Sequence, residues 1–169
     1  RRRPDGSRGI SREWGARFKN DYPRATMSQY FFDTSALVKR YLVETGSSWV
    51  NQIISQPERQ IYISRLTEAE VSAALTRRLN STDAPLVLKI FDQDLIVSCV
   101  PVTITDIIID NAVILARSQR LRGCDSLQLA TALEIAKDDP SLIFVCSDND
   151  LLLAATAIGL LTENPEMHP

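Results

Sequence analysis

The chain has 169 residues, a length that fits one ordinary domain able to bury a core without disulfides or zinc. Its composition, 44% hydrophobic and 24% charged, excludes wholesale disorder, and no apolar run approaches the ~20 residues of a membrane span. The net charge of −2 is unevenly divided: residues 1–26 carry eight Lys/Arg and three Asp/Glu, and residues 27–169 carry eleven and eighteen. The globular part is therefore acidic, unlike a basic nucleic-acid-binding surface.

The first 26 residues are predicted to be a basic N-terminal extension outside the core. They are Arg-rich, lack sustained apolar periodicity and contain no signal-peptide h-region. The hydrophobic pattern starts directly after Met27. We expect a solvated extension here, with an RNA-contacting arm as the alternative, then one domain over 27–165 and a short tail over 166–169.

From Tyr30 onward, short apolar runs alternate with helical patterns. The runs YFF, QIYIS, SCVPV and SLIFVC predict strands, the third edge-like; the stretches between and after them predict helices. Asp83, Thr105 and Asp125 are predicted to cap or open helices, and Gly159 to stop the last one. Strands separated by helices indicate right-handed crossovers and an α/β fold, a mainly parallel sheet with helices on both faces.

Acidic residues stand where two of these strands end. Asp33 follows YFF and Asp148 follows LIFVCS, so parallel neighbours would bring both to the edge where such sheets carry their sites. Glu70 and Asp125 are positioned to join them from helices. Glu68 competes with Glu70, because the apolar spacing around the two is similar.

Each of these carboxylates also has an ordinary structural explanation. The three aspartates precede helical patterns, where Asp is a common N-cap, and a mid-helix Glu is usually at the surface. Taken together, however, several carboxylates without histidines or thiolates form a hard oxygen site suited to Mg²⁺ or Mn²⁺. Such a cation would offset the repulsion between the anions and polarise a phosphoryl oxygen.

The few histidines and cysteines limit which kinds of catalytic and metal site are expected. His168 is the one histidine and stands next to the C-terminus, which argues against histidine-based acid–base catalysis. Cys99, Cys124 and Cys146 are dispersed with no CxxC, which favours a reducing, cytoplasmic environment over a disulfide framework or zinc site. We interpret all three as core residues.

Four segments, in this order, resemble the motifs of PIN-domain ribonucleases, in particular the VapC-type toxins of bacterial toxin–antitoxin pairs. They are FFDTSALVKRYLVETGS, RLTEAEVSAALTRR, RLRGCDSLQLATAL and VCSDNDLLLAATAIGL. The resemblance implies a PIN-like three-layer α/β/α sandwich, metal-dependent endoribonuclease activity, a VapB-type antitoxin and a homodimer. The family's acidic positions correspond to Asp33, Glu70, Asp125 and Asp148, which selects Glu70 over Glu68, with Asp150 as a possible fifth carboxylate.

The resemblance also suggests roles for individual residues. Asp33 and Asp125 are the expected direct metal ligands, completed by Glu70 and Asp148. The candidate RNA contacts are Thr34, Ser35, Lys39, Arg40, Arg77, Arg78, Arg120 and Arg122. Their alternative roles are helix capping for the two hydroxyls and solvation for the cations.

Other functions remain open at this point. An aspartyl phosphatase normally needs a second Asp two positions after the first, where this chain has Ser35. A receiver-type domain would need paired acids after its first strand. A non-catalytic PIN-like domain that binds RNA or protein is compatible with the sequence.

Overall fold

The computed structural model describes residues 28–168, so the predicted basic extension and Met27 lie outside the described residues. Five strands are found: β1 (Gln29–Phe32), β2 (Gln60–Ser64), β3 (Cys99–Val102), β4 (Ile143–Val145) and β5 (Leu161–Glu163). The helices are α1 (Thr34–Leu37), α2 (Ser47–Ile54), α3 (Arg65–Arg78), α4 (Asp83–Val97), α5 (Asp106–Ser118), α6 (Gly123–Ala136) and α7 (Asn149–Ala157). Short 3₁₀ turns follow α1 (Val38–Arg40) and β5 (Pro165–Met167).

The strands form one sheet in the order β3-β2-β1-β4-β5, and every neighbouring pair is parallel. Tyr30 of β1 lies opposite Ile61 on one side and Ile143 on the other. The chain proceeds from β1 outward to β3, then returns to β4 on the opposite side of β1. The reversal of strand order therefore falls between β1 and β4, the place where α/β sheets of this type bind ligands.

The alternation of side chains along β1 divides the interior into two cores, one on each face of the sheet. Tyr30 and Phe32 pack into a core covered by α1–α4, whereas Phe31 packs into one covered by α5–α7. The Phe31 ring stacks on Phe144 of β4, with centroids 5.7 Å apart. Helices, sheet and helices thus form the predicted three layers, and the edge position of β3 is also confirmed.

The predicted helix boundaries are partly correct. Thr105 caps α5, its hydroxyl accepting from the Ile108 N–H, and Gly159 ends α7 with a φ of +93°. Asp83 does not cap α4, because Asn80 Oδ1 accepts from the Thr82 and Asp83 N–H groups instead. Asp125 lies inside the first turn of α6, which begins at Gly123.

The last described residues pack against the rest of the domain. Residues 166–168 are not a detached tail: the Glu166 carboxylate accepts from Lys39 Nζ at 3.0 Å, and the His168 ring stacks on Trp49. Gly46, with a φ of +86°, lies so close that a Cβ there would overlap the Pro165 carbonyl. The preceding strand β5 is three residues long and only partly buried, so it carries no apolar run that predicts it. No helix within residues 28–168 is long and apolar enough to cross a bilayer.

Candidate active site at the carboxyl edge of the sheet

The ends of β1 and β4 are tied together at the edge where both predicted strand-end aspartates lie. The Asp33 N–H donates to the Val145 carbonyl at 2.9 Å, which continues the β1–β4 pairing beyond the strand. Ser35 Oγ accepts from the Ser147 N–H at 2.9 Å. These bonds bring Asp33 and Asp148 to one edge, as expected for parallel neighbours.

Asp33 is buried at this edge, with 6% of its surface exposed. Its Oδ2 accepts from the Ser35 N–H at 3.0 Å and from Ser35 Oγ at 2.7 Å, and the Cys146 thiol lies 3.5 Å away. Burial raises the pKa of the Asp33 carboxyl above its ordinary value, although the bonds from Ser35 oppose that effect. Asp33 is thus the N-cap of α1, and its burial also disfavours the ionised form of the carboxyl group.

Asp148 caps α7 and is more exposed. Its Oδ1 accepts from the N–H groups of Asp150 at 2.9 Å and Leu151 at 3.1 Å. Asp150 is exposed in the first turn of the same helix. The capping explanation therefore holds for both Asp33 and Asp148.

Asp125 is not the N-cap residue of α6, since Arg122 occupies that position; its carboxylate instead accepts from the backbone N–H of Arg122 in the first turn. The pKa of its half-buried carboxyl is raised, first by burial and then by the negative charge of Asp148; Arg122 opposes this, and Glu70 adds to it. The charges of Asp148 and Glu70 both act on Asp125, so both carboxylates lie within electrostatic reach of it.

Glu70 reaches this group from α3. Its Oε2 accepts from the Thr34 hydroxyl and from Gln128 Nε2, the latter at 3.0 Å. Glu68 instead forms an ion pair with Arg65 of its own helix at 3.0 Å. The structure therefore places Glu70, and not Glu68, at the acidic edge.

Two of the cysteines also adjoin the site. Cys146 is buried beside Asp33, whereas Cys124 is exposed, so the prediction of a core position is wrong for Cys124. The pKa of the Cys124 thiol is raised by desolvation, by the charge of Glu70 and by a hydrogen bond to it. Cys124 therefore lies against the Glu70 carboxylate at the mouth of the site.

The predicted RNA contacts divide into two groups. Thr34 and Ser35 lie at the acidic edge, on Glu70 and Asp33 respectively. Lys39 does not: it is 3% exposed, and its ammonium is bound by Glu44 and Glu166 at 3.4 and 3.0 Å. The prediction that Lys39 contacts RNA is wrong, because a buried, doubly paired cation cannot reach a phosphate in solvent.

Arg40 is also committed within the fold. Its guanidinium donates to Asp94 at 3.1 Å and to Asn51 at 2.8 Å, and 24% of its side chain is exposed. These bonds replace the predicted contact with RNA by a bridge between α2 and α4. Arg78 is similarly paired, with Glu44.

Three other arginines flank the acidic edge. Arg77 and Glu70 line a cavity of about 400 Å³, together with Thr34, Ala69, Ala73 and Ala74. Arg120, which has a φ of +57°, lines a second cavity of about 460 Å³ that includes Asp150. Arg122 lowers the pKa of Asp125 by its charge. The prediction that Arg77, Arg120 and Arg122 contact phosphates is compatible with these positions.

Sequence reasoning missed Gln128 and Thr67, which are buried beside Glu70. The available signal was helical spacing. Gln128 lies three residues after Asp125 on α6, and Thr67 three residues before Glu70 on α3, so each shares a helix face with a site carboxylate.

The donor chemistry of this edge fits a divalent cation. Carboxylate and hydroxyl oxygens are the ligands that Mg²⁺ and Mn²⁺ prefer, and a cation would offset the repulsion that raises the Asp125 pKa. Within residues 28–168, no three His, Cys, Asp or Glu side chains already stand in an arrangement that holds a metal ion.

Comparison with known proteins agrees with this geometry. Residues 30–138 match the family model described as PIN domain. The chain is 33% identical over 147 residues to Ribonuclease VapC45 and to Ribonuclease VapC49, both from Mycobacterium tuberculosis, covering 85% of this chain and 100% of each relative.

Solved structures share the fold. A chain of FitAB bound to the IR36 DNA fragment matches with a TM-score of 0.61 at 15% identity, covering 81% of this chain and 95% of that one. VapBC2 from Rickettsia felis, bound to promoter DNA, matches with a TM-score of 0.58 at 16% identity, covering 80% and 98%. The family match contains Asp33, Glu70 and Asp125, and the longer match to the curated relatives spans most of the described fold. This chain therefore belongs to the PIN domain family, among its VapC-type ribonucleases.

Proposed function

We propose that the chain is a metal-dependent endoribonuclease that hydrolyses RNA phosphodiester bonds and acts as the toxin of a toxin–antitoxin pair. The observation that carries the proposal is the grouping of Asp33, Glu70, Asp125 and Asp148, from four separate elements, at the carboxyl edge of the sheet. The name ribonuclease borne by the two curated relatives supports RNA as the substrate. Their identity of 33% over most of both chains makes a shared activity the simplest assignment.

The four carboxylates are proposed to hold Mg²⁺, with Mn²⁺ as a substitute. When bound, the cation supplies Lewis-acid activation of the phosphate and of a water molecule. Asp33 and Asp125 are proposed as direct ligands, because burial makes both anionic forms costly without a cation, and the like charges of Asp148 and Glu70 add to that cost at Asp125. Glu70 and Asp148 complete the negative site, and Asp150 adds a carboxylate at its rim.

The chain's other residues are proposed to position the RNA. Arg77, Arg120 and Arg122 flank the carboxylates and would contact phosphates on either side of the bond that is cut. Thr34 and Ser35 orient Glu70 and Asp33 by hydrogen bonds. His168 is engaged by Trp49 and Glu163, so we assign it no part in proton transfer.

The proposed partners are a VapB-type antitoxin and a second copy of the chain, in the cytoplasm. Similarity to chains of a toxin–antitoxin complex from Klebsiella pneumoniae and of VapBC2 supports this. Co-expression with the product of the adjacent reading frame should give a stable complex, and light scattering of the isolated chain should give a dimer. A monomer that forms no such complex would contradict both assignments.

The test of activity is cleavage of total RNA by the purified, antitoxin-free chain with Mg²⁺, with Mn²⁺ and with chelator. We expect cleavage only with a cation, and its loss in Asp125→Asn prepared in parallel. Glu70→Gln should also lose cleavage, and Glu68→Gln is its matched control, because Glu68 lies on the same helix but pairs with Arg65. Cleavage that survives chelator and Asp125→Asn would refute the proposal, and RNA binding without cleavage would support the non-catalytic alternative.

A further inference from the structure

Gln128 is a buried amide whose bonds all lead to the candidate site. It projects from α6, three residues after Asp125, and is 1% exposed. Its Nε2 lies 3.0 Å from Glu70 Oε2, 3.1 Å from Thr34 Oγ1 and 3.0 Å from Thr67 Oγ1. A buried amide is costly unless its hydrogen bonds are made, so these contacts decide what the residue does.

The orientation of the amide follows from the chemistry of its neighbours. A carboxylate can only accept, so the NH₂ group must face Glu70, and the reverse orientation would set two oxygens against each other. The two amide hydrogens serve Glu70 and Thr34, because Thr67 can instead donate its own hydrogen to Gln128 Oε1, 3.2 Å away. Thr34 in turn donates to Glu70. Glu70 Oε2 therefore accepts directly from Gln128 and from Thr34. The second amide hydrogen of Gln128 goes to Thr34, and the Thr67 hydroxyl donates to Gln128.

We infer that Gln128, anchored by Thr67, is a positioning residue that fixes the Glu70 carboxylate for cation binding. The inference rests on the proposed function. Glu70 sits on α3 and Asp125 on α6, and Gln128 is the side chain that joins the two helices at their site residues. Oxygen Oε2 is held by two donors from different elements, so the Glu70 carboxylate keeps one orientation relative to Asp125.

Gln128→Met tests this assignment, because Met has a similar length and shape but cannot donate. Outer-shell partners of metal ligands typically contribute 10–100-fold to metal affinity. We expect Mn²⁺ binding, followed without RNA by the loss of the free Mn²⁺ electron paramagnetic resonance signal, to weaken by about 10–100-fold. The Mn²⁺ concentration for half-maximal cleavage should rise equally, with KM for RNA at saturating Mn²⁺ unchanged.

Thr131→Val is the matched control. Thr131 is a fully buried hydroxyl on the same helix whose bond goes to the Leu127 carbonyl of that helix, at 2.7 Å. Its replacement should leave Mn²⁺ affinity and cleavage as in the wild type. Thr131→Val that weakens Mn²⁺ binding as much as Gln128→Met would show a general effect of α6 packing and overturn the assignment.

The outcomes separate this inference from the proposed function. A wild-type chain that binds no Mn²⁺ would overturn the metal-dependent nuclease itself, and the inference with it. A wild type that binds Mn²⁺ and a folded Gln128→Met that binds it equally well would overturn only the positioning role. If Gln128→Met does not fold, Thr67→Val removes the donor that anchors the amide; it should weaken Mn²⁺ binding several-fold, and wild-type affinity there would overturn the role.

Discussion

Replacing Asp33 by Asn removes a charge from the most buried carboxylate of the site while keeping its shape. An Asn oxygen can accept the two bonds from Ser35, and Asn and Asp cap helices about equally well, so the exchange at the cap changes stability by only a few tenths of a kcal/mol. The main difference between the two side chains is then the buried negative charge of Asp33, whose cost is seen in its raised pKa. We therefore expect the metal-free Asp33→Asn variant to be more stable than the wild type.

Asp139 provides a matched control for this argument. It accepts from the N–H and the hydroxyl of Ser141 at 2.9 and 2.6 Å, the same pair of bonds that Asp33 receives from Ser35. Its carboxylate lies at the surface, and these bonds lower its pKa. Equal hydrogen bonding with opposite shifts isolates burial as the difference, so Asp139→Asn should be less stable than the wild type at neutral pH.

The assay is thermal unfolding with chelator from pH 3 to pH 7, since a bound cation would stabilise the wild type selectively. The folded pKa of Asp33 lies above its ordinary value of 3.8, so the wild type loses stability as the pH rises through the interval between the two. The advantage of Asp33→Asn should be absent at the acid end and should grow as the pH rises above that ordinary value. Each kcal/mol raises Tm by about 2–4 °C in a chain of this size.

Cleavage should change in the opposite direction. Loss of an outer-shell partner already costs about 10–100-fold, so loss of a proposed ligand charge should lower the cleavage rate by at least about 100-fold. Stability changes of the same sign at Asp33 and Asp139 would refute the burial argument. A folded Asp33→Asn that cleaves RNA at the wild-type rate would leave Asp33 as a helix cap alone.

Three further substitutions test separate parts of the structure. Lys39→Met leaves Glu44 and Glu166 without their shared cation and should lower the free energy of unfolding by about 2 kcal/mol, less than for a fully buried pair because Glu166 is half exposed. Lost cleavage by Lys39→Met at an unchanged Tm would restore its predicted phosphate contact. Gly46→Ala must place a Cβ against Pro165 at a positive φ, so Tm should fall by at least about 4 °C, whereas Gly123→Ala, in open space, should not lower it. Equal Tm values for the two alanine variants would contradict this packing. Glu70→Gln should lose most cleavage and Glu68→Gln should retain it; equal rates would remove Glu70 from the site.

The parts of the fold that could be predicted are those that rest on local pattern. The apolar runs at β1, β2 and β4 and the alternation with helices were sufficient for a parallel sheet, because a strand buried on both faces is continuously apolar. Parallel order then placed Asp33 and Asp148 at one edge. The family resemblance, and not spacing, distinguished Glu70 from Glu68.

The parts that could not be predicted depend on contacts between distant segments. Lysine is usually a surface residue, and the burial of Lys39 depends on ion pairs with Glu44 and with Glu166, which is 127 positions away. In the sequence, Gln128 is one polar residue within an apolar helix. Its role becomes visible only from its contacts with Thr67 and Glu70, which lie on another helix. Cys124 is exposed because α6 begins two residues before Asp125, a boundary that no capping side chain marks.

The central position of β1 bears on when the site can exist during synthesis. Asp33 is made before Cys146, its neighbour across the β1–β4 pair, which is 113 positions later in the chain. At bacterial-scale elongation of about 5–20 residues per second, that interval lasts roughly 6–20 s. Throughout that time the nascent chain lacks Asp148, and β1 lacks β4, the strand that completes its edge. The proposed site of four carboxylates is therefore incomplete until synthesis reaches Asp148.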